Sequence, residues 1–141
     1  MEVSGLDDLT IYLKQQQQLT GPMAHAMIDS GAEVLVKAWK DKIKQKNHID
    51  SGAMLKSVRA QKTKEGADGF LEKAVFPQGK DKRGIRNVEK SFLLHYGWKT
   101  NAATNGPHDG DHFVDEIEQE AEPNVVSAMG NTMADYLEKG Q

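Results

Sequence analysis

Cysteine is absent from the 141 residues. That excludes a disulfide framework, a thiolate nucleophile and a cysteine-built zinc site. Aromatic residues are scarce at 6%, and hydrophobic residues reach only 38%, against ~45–50% apolar in an average globular chain with glycine counted. Such a chain can bury a core, but a lean one: either the domain is small with floppy segments, or much of its apolar surface meets a partner chain. No apolar run approaches the ~18 residues of a membrane span. The opening Met1-Glu2-Val3-Ser4 has neither the basic region nor the apolar stretch of a signal peptide. A soluble intracellular protein with no membrane contact is the expectation. The GxSxG, phosphate-loop and HExxH patterns are missing as well, and no internal repeat is present. Little therefore supports an enzyme, a cofactor or a small-molecule substrate.

What is present is an uneven distribution of charge. The net charge of −3 combines −4 over residues 1–36, +8 over 37–90 and −7 over 91–141, counted from the sequence. Such asymmetry suits a nucleic-acid patch, or an assembly that docks unlike faces of neighbouring copies, or simply solvated faces. At this length one domain spanning residues 1–141 is expected.

Taken in order, Ser4 can cap a first helix in which Leu6, Leu9 and Leu13 fall at helical spacing. Thr20-Gly21-Pro22 breaks the chain, and a long helix from about Pro22 to Lys46 follows, with Met27, Ile28, Gly31, Leu35, Trp39 and Ile43 on one broad stripe. Lys37, Lys40, Lys42, Lys44 and Lys46 crowd its end, where cations suit the helix dipole. Asp50-Ser51-Gly52 predicts a tight turn, with Met54, Leu55 and Val58 turned to the core. Val58 to Lys64 and Phe70 to Phe76 read as two strands of a hairpin closed at residues 65–69. Gln78 to Arg86 and the 100–110 stretch read as mobile loops. Between them, Asn87 can cap a short helix with Val88, Phe92 and Tyr96 aligned, and Gly97-Trp98 turns extended. Asp111 can cap a last helical region, interrupted by a kink or a fresh start at Pro123. The fold class is thus α+β: two N-terminal helices, a small antiparallel β-sheet around 58–76, and a C-terminal helical region packed on the sheet.

Three groups of residues carry candidate chemistry. His108, Asp109, Asp111 and His112 lie within five positions and could offer nitrogen and oxygen ligands to a divalent metal, but the Asp residues have ready roles as turn former and helix cap, so no metal is assigned. A small metal-dependent hydrolase built on these residues is the least supported reading. His95 lacks an orienting acid and a nucleophile at sequence range, and fits a core or interface histidine. Ser57 lacks a base and is expected to cap or hydrogen bond. No catalytic residue is assigned. The basic residues of the 37–90 segment, Lys37 to Lys46 and Lys80 to Arg86, support a nucleic-acid-binding module as the alternative function, although no aromatic residues interleave for base stacking.

The whole chain resembles the tail-component family of tailed phages and prophages, the gene-ten-like neck and tail-completion proteins of siphophages of the Hong Kong 97 type. The landmarks fall in order. "GLDDL" (Gly5 to Leu9) opens the first helix, and a long helix with a basic end follows. "DSGAMLKSV" (Asp50 to Val58) is similar to the family's Asp-Thr-Gly-x-Leu-x-x-Ser-Ile/Val. "LLHYGW" (Leu93 to Trp98) resembles its aromatic-Glu-x-Gly-Thr segment, and "HFVDEIEQEAEPNVVSAM" (His112 to Met129) its Pro-Phe-Leu-x-Pro-Ala opening of the last helix. Departures are His48-Ile49 where a Pro usually stands, His95 in place of the Glu, and His112-Phe113 in place of Pro-Phe. The resemblance implies a structural virion protein at the head–tail junction, made in the bacterial host cytoplasm. It would form or cap a homo-oligomeric ring against neighbouring connector and tail proteins, with DNA able to pass through. Assembly contacts are expected at Lys80, Lys82, Arg83, Arg86, Trp98, Lys99, Asp109 and Asp111.

Overall fold

A computed structural model describes residues 2–4, 8–14, 21–49, 51–66, 69–98 and 108–139. The protein is α+β. In chain order the elements are β1 (Glu2–Ser4), β2 (Asp8–Lys14), α1 (Gly21–Gln45), α2 (Ala53–Ser57), β3 (Val58–Ala60), β4 (Lys64–Glu65), β5 (Phe70–Pro77), α3 (Asn87–Tyr96), β6 (Gly97–Trp98), β7 (His108–Asp109) and α4 (Phe113–Glu138). The main sheet is antiparallel in the order β1-β2-β5-β3, with β4 also on β5, and β6 pairs β7 separately.

The first element corrects the expectation of two N-terminal helices. Residues 2–4 and 8–14 are paired strands, with Val3 opposite Leu9, and only one N-terminal helix, α1, is found among the described residues. The stretch Asp8-Leu9-Thr10-Ile11-Tyr12-Leu13-Lys14 carries two periods at once. Leu6, Leu9 and Leu13 fit a helix, but Leu9, Ile11 and Leu13 also alternate. The β-branched and aromatic residues between them favour a pleated surface. The alternation wins because β5 offers a matching face: Leu9 lies opposite Val75 and Leu13 opposite Leu71. That face is the buried one, while Phe70, Glu72, Ala74 and Phe76 on the other face of β5 are half-buried. Lys73 also stands on the core face, opposite Ile11. Its ammonium leaves the core by reaching Asp29 of α1 at 2.9 Å and Thr63 at 3.2 Å.

Helix α1 lies between the sheet and α4. Its buried residues include Met23, Ala24, Ile28, Leu35, Trp39 and Ile43, and they join Leu9, Ile11, Leu71 and Val75 of the sheet with Phe113, Ile117, Ala121 and Val125 of α4 in one core. Helix α4 runs antiparallel to α1, as Lys46–Glu116, Lys42–Glu120 and Ser30–Thr132 show. It covers the sheet mainly through α1 and touches β1 directly. No fresh start occurs at Pro123: α4 is one helix of 26 residues. Pro123 and Gln119 are both exposed, so the carbonyl that loses its i→i+4 donor faces water.

The junction after α1 follows its expectation. Gly52 has φ +84°, a left-handed conformation cheap only for glycine. Ser51 Oγ accepts from the Ala53 N–H at 3.3 Å. Asp50 lies outside the described residues. Met54 and Val58 are buried and Leu55 packs on the core. The buried Ser57 hydroxyl donates to the Met54 carbonyl at 2.7 Å, which is a hydrogen-bonding role. No described helix is long and apolar enough to cross a membrane.

Gly31 sets how closely α1 and α4 approach. A Cβ there would meet Met129 Cγ at 3.0 Å and Val125 Cγ1 at 3.1 Å. Gly31→Ala is expected to be tolerated, because the Met129 side chain can give and alanine favours the helix. Gly31→Leu is expected to cost ~1–3 kcal/mol through overpacking. Urea unfolding followed by the fluorescence of Trp39, which is fully buried in this core, measures both.

Candidate functional site

Three helix ends meet at one corner of the molecule. Helix α3 would leave its last carbonyls unpaired and α4 its first N–H groups. The segment between them satisfies both. The Asp111 and His112 N–H groups donate to the carbonyls of Leu94 at 3.4 Å and His95 at 3.0 Å. In return, Asp111 Oδ1 accepts from the Phe113 N–H at 3.1 Å and His95 Nδ1 from the Val114 N–H at 3.2 Å. The end of α1 joins through His48, whose Nε2 lies 2.7 Å from Asp111 Oδ2 and whose ring meets Phe113 edge-on. Asp111 thus caps α4 from outside, as expected, although the N-cap position itself is held by His112 in a left-handed conformation.

The approach is close enough to exclude any side chain at position 110. A Cβ on Gly110 would fall 2.2 Å from the His95 carbonyl oxygen and 2.4 Å from the Tyr96 carbonyl carbon. His95 is held neutral by the same geometry. Burial lowers its pKa first and His112 adds to this, while Asp115 and Asp111 oppose it. Because Nδ1 accepts a backbone hydrogen bond, the neutral ring carries its proton on Nε2.

That proton bears on the metal reading. His95, His112 and Asp115 bring ligand atoms within 4.8 Å of one another, so the structure pairs His112 with His95 and Asp115, and Asp111 is drawn instead to His48. A metal on His95 would have to displace either the Val114 hydrogen bond at Nδ1 or the proton at Nε2. The residues fit a capped junction better than a metal site. Asp109 is exposed on β7. The side chains of His108 and Trp98, and Lys99 altogether, lie outside what is described.

The basic loop 78–86 is folded on itself. Asp81 Oδ1 accepts from the Arg83 N–H at 2.8 Å and the Ile85 N–H at 3.0 Å. Its Oδ2 faces the Lys90 ammonium at 2.7 Å. The Lys90 hydrogen bond, then the Ile85 N–H, hold the Asp81 pKa down to about 2. Lys80 bridges to Arg86. The Asn87 N–H donates to Gly79 and its side-chain amide to Gln78, so Asn87 ties the loop down from inside the first turn, and the cap position falls to Arg86. An acceptor carboxylate two and four residues before the N–H groups it binds is a local signal that the reading as a mobile loop passed over. Lys80, Lys82, Arg83 and Arg86 remain on the surface.

Much of the charge asymmetry is satisfied within the chain. Lys37 pairs with Asp41, the buried Lys42 with Glu120, and Lys46 with Glu116 at 3.0 Å. The hydrogen bond to Glu116 raises the Lys46 pKa. Three of the five lysines at the end of α1 thus meet carboxylates, two of them the acids of α4, and do not form an open cationic face for nucleic acid.

What stays open is apolar. On α3 the buried side is Val88, Ser91 and His95, not the expected row Val88, Phe92, Tyr96. Of the inward polar residues, His95 faces the corner just described. Phe92, Leu93 and Tyr96 are turned out, with the rings of Phe92 and Tyr96 4.8 Å apart. Between α3, loop 78–86 and the Ser51–Leu55 turn lies a groove of about 390 Å³ whose walls include Ile49, Met54, Ile85, Leu93 and Leu94. A neighbouring depression holds Ser51, Lys56, Asp81, Lys82 and Arg83. The structure therefore brings the predicted turn and the basic loop together at an apolar surface, with Asp111 at the corner beyond.

Comparison of the chain with family models, with curated proteins and with solved structures finds no match in any of the three.

Two acid responses follow. The folded pKa of His95 is depressed, so its contribution is complete above the unfolded value near 6.5 and is lost as pH falls below it toward the folded value. Melting temperature is expected to fall between pH 7.5 and 5.5, and His95→Gln to flatten that slope. The contribution of Asp81 is complete above 3.8 and is lost as pH falls toward about 2. Asp81→Asn should remove it at neutral pH, seen as faster amide exchange at Arg83 and Ile85 with the core amides unchanged.

Proposed function

We propose that the chain is a structural virion protein of a tailed phage or prophage, a neck or tail-completion subunit that joins head and tail by forming or capping a ring. The observation that carries this reading is where the landmark turn sits. Residues 51–55, within the stretch that resembles the family's Asp-Thr-Gly element, form one wall of an exposed apolar groove. They present Ser51, Gly52, Ala53, Met54 and Leu55 there, and the Ser51 hydroxyl is engaged by the Ala53 N–H. A solvent-facing groove of this kind marks a surface that other chains cover. The lean hydrophobic composition agrees, because three large apolar residues that line it, Ile49, Ile85 and Leu93, are exposed.

On this reading the partners are further copies of the chain and the adjoining connector and tail proteins, and the place is the head–tail junction of the particle. The loop residues Lys80, Lys82, Arg83 and Arg86 would meet those neighbours. Asp111 would not, since its carboxylate is taken up by His48 and the start of α4. The nucleic-acid reading has less support, because the lysines of α1 are largely paired within the fold.

Deleting the gene from the phage or lysogen that encodes it is expected to yield filled heads and separate tails by electron microscopy, with joining restored by the protein supplied in trans. Infectious, fully joined particles from the deletion strain would overturn the reading.

A further inference from the structure

The large apolar side chains exposed among the described residues fall into two groups. Ile49, Ile85 and Leu93, the last 45% exposed, line the groove between α3 and the Ser51–Leu55 turn, and Phe92 and Tyr96 stand on α3 outside it. The other two, Val126 at 63% and Leu137 at 56%, stand on α4. They are joined on one line of that helix by Gly130 and Met133, at steps of four, three and four residues. Gly130 has open space where a Cβ would be. In a helix interior that costs ~1 kcal/mol against alanine, and it lets another chain approach the backbone. Both groups are open in the single chain.

The two surfaces differ in charge. The residues lining the groove and its neighbouring depression include four cations, Lys56, Lys82, Arg83 and Lys90, against one carboxylate, Asp81. Glu122 and Glu138 flank the α4 stripe and are exposed. The stripe also occupies the second half of α4, beginning 13 positions after Phe113. The groove adjoins the start of α4 through His48 and Leu94, whereas Leu137 is 24 positions along the helix from Phe113, ~36 Å at 1.5 Å per residue. One copy cannot bring its own stripe to its own groove.

We infer that the outer stripe of α4, Val126 to Leu137, docks into the apolar groove of a second copy of this chain, with Glu122 and Glu138 against the Lys56, Lys82 and Arg83 lip. The contact uses two different surfaces and is therefore heterologous, able to propagate from copy to copy and to close as a ring. It deepens the assembly reading and rests on it for the identity of the second copy.

Sedimentation velocity on the full chain tests it. The wild-type protein is expected to gain mass with concentration, less so in high salt. Leu93→Glu blocks the groove, and Val126→Glu with Leu137→Glu blocks the stripe. Each variant alone should associate about tenfold more weakly or worse while melting as the wild type does. Their equimolar mixture should form a one-to-one pair and nothing larger, since one variant keeps a groove and the other a stripe. Because the chain has no cysteine, Leu93→Cys in one molecule and Leu137→Cys in another should give an intermolecular disulfide on mixing. A wild type that stays monomeric, a stripe variant that associates like the wild type, or a mixture that remains monomeric would each overturn the contact. So would a Leu93→Glu variant that melts lower with no change in mass, which would mean the groove is covered from within its own chain. Failure here with unjoined heads and tails in the deletion strain removes this contact and leaves the proposed function standing. Pairing here with joined particles there does the reverse.

Discussion

The double coverage of α1 is the constraint on which the rest depends. A helix of 25 residues with Met23, Ile28, Leu35, Trp39 and Ile43 buried cannot be satisfied by a five-stranded sheet on one side alone. Helix α4 supplies the second cover, and Gly31 lets it come near. Once α4 is laid along α1, its acids fall beside the lysines at the end of α1. Lys42, buried along its whole stem, is then bearable because Glu120 meets its ammonium at the edge of the packing. Removing that carboxylate would strand a buried cation, a change of a different order from losing a surface pair.

The same arrangement fixes the corner where α3 ends. Helix α4 must begin near the end of α1, and α3 must deliver the chain there after the loop that follows β5. The N–H groups of α4 and the carboxyl end of α3 are left facing each other with little water between them. Their reciprocal capping through Asp111, His112 and His95 is the low-cost solution, and it explains why a histidine points inward from α3 while Phe92, Leu93 and Tyr96 point out. The outward apolar residues are thus a by-product of a polar need on the other side of the same helix, and one of them, Leu93, lines the groove with Leu94.

Much of the fold was legible in the sequence wherever one period dominated. Helix α1 is bounded by Gly21-Pro22 and carries a single broad stripe, and Phe70 to Phe76 reads as extended chain. Gly52 sits in a turn cluster and takes the positive φ that such clusters require. Legibility failed where two patterns overlapped or where the deciding partner was distant in sequence. Leu9 to Leu13 fits both a helix and a strand until β5 is present to pair with it. The face of α3 differs from the expected row because hydrophobicity marks what can be buried, while His95 is drawn inward by the start of α4. The roles of Asp81 and Gly110 differ again. Asp81 could have been found from its spacing to Arg83 and Ile85. Gly110, by contrast, is set by the backbone of a helix more than ten positions away, which no local pattern reports.

Gly110 also decides what the neighbouring chain is free to do. The segment from Trp98 to His108 begins and ends in paired strands, with Gly97 opposite Asp109, and Gly110 locks the exit of that pair onto the end of α3. Both ends of the insertion are thereby clamped to each other before α4 starts. Lengthening a segment between clamped ends adds only ~0.6 kcal/mol of closure entropy per doubling and leaves the direction of α4 unchanged. A change of length at this place would therefore alter what one corner presents to its neighbours without disturbing the packing beneath.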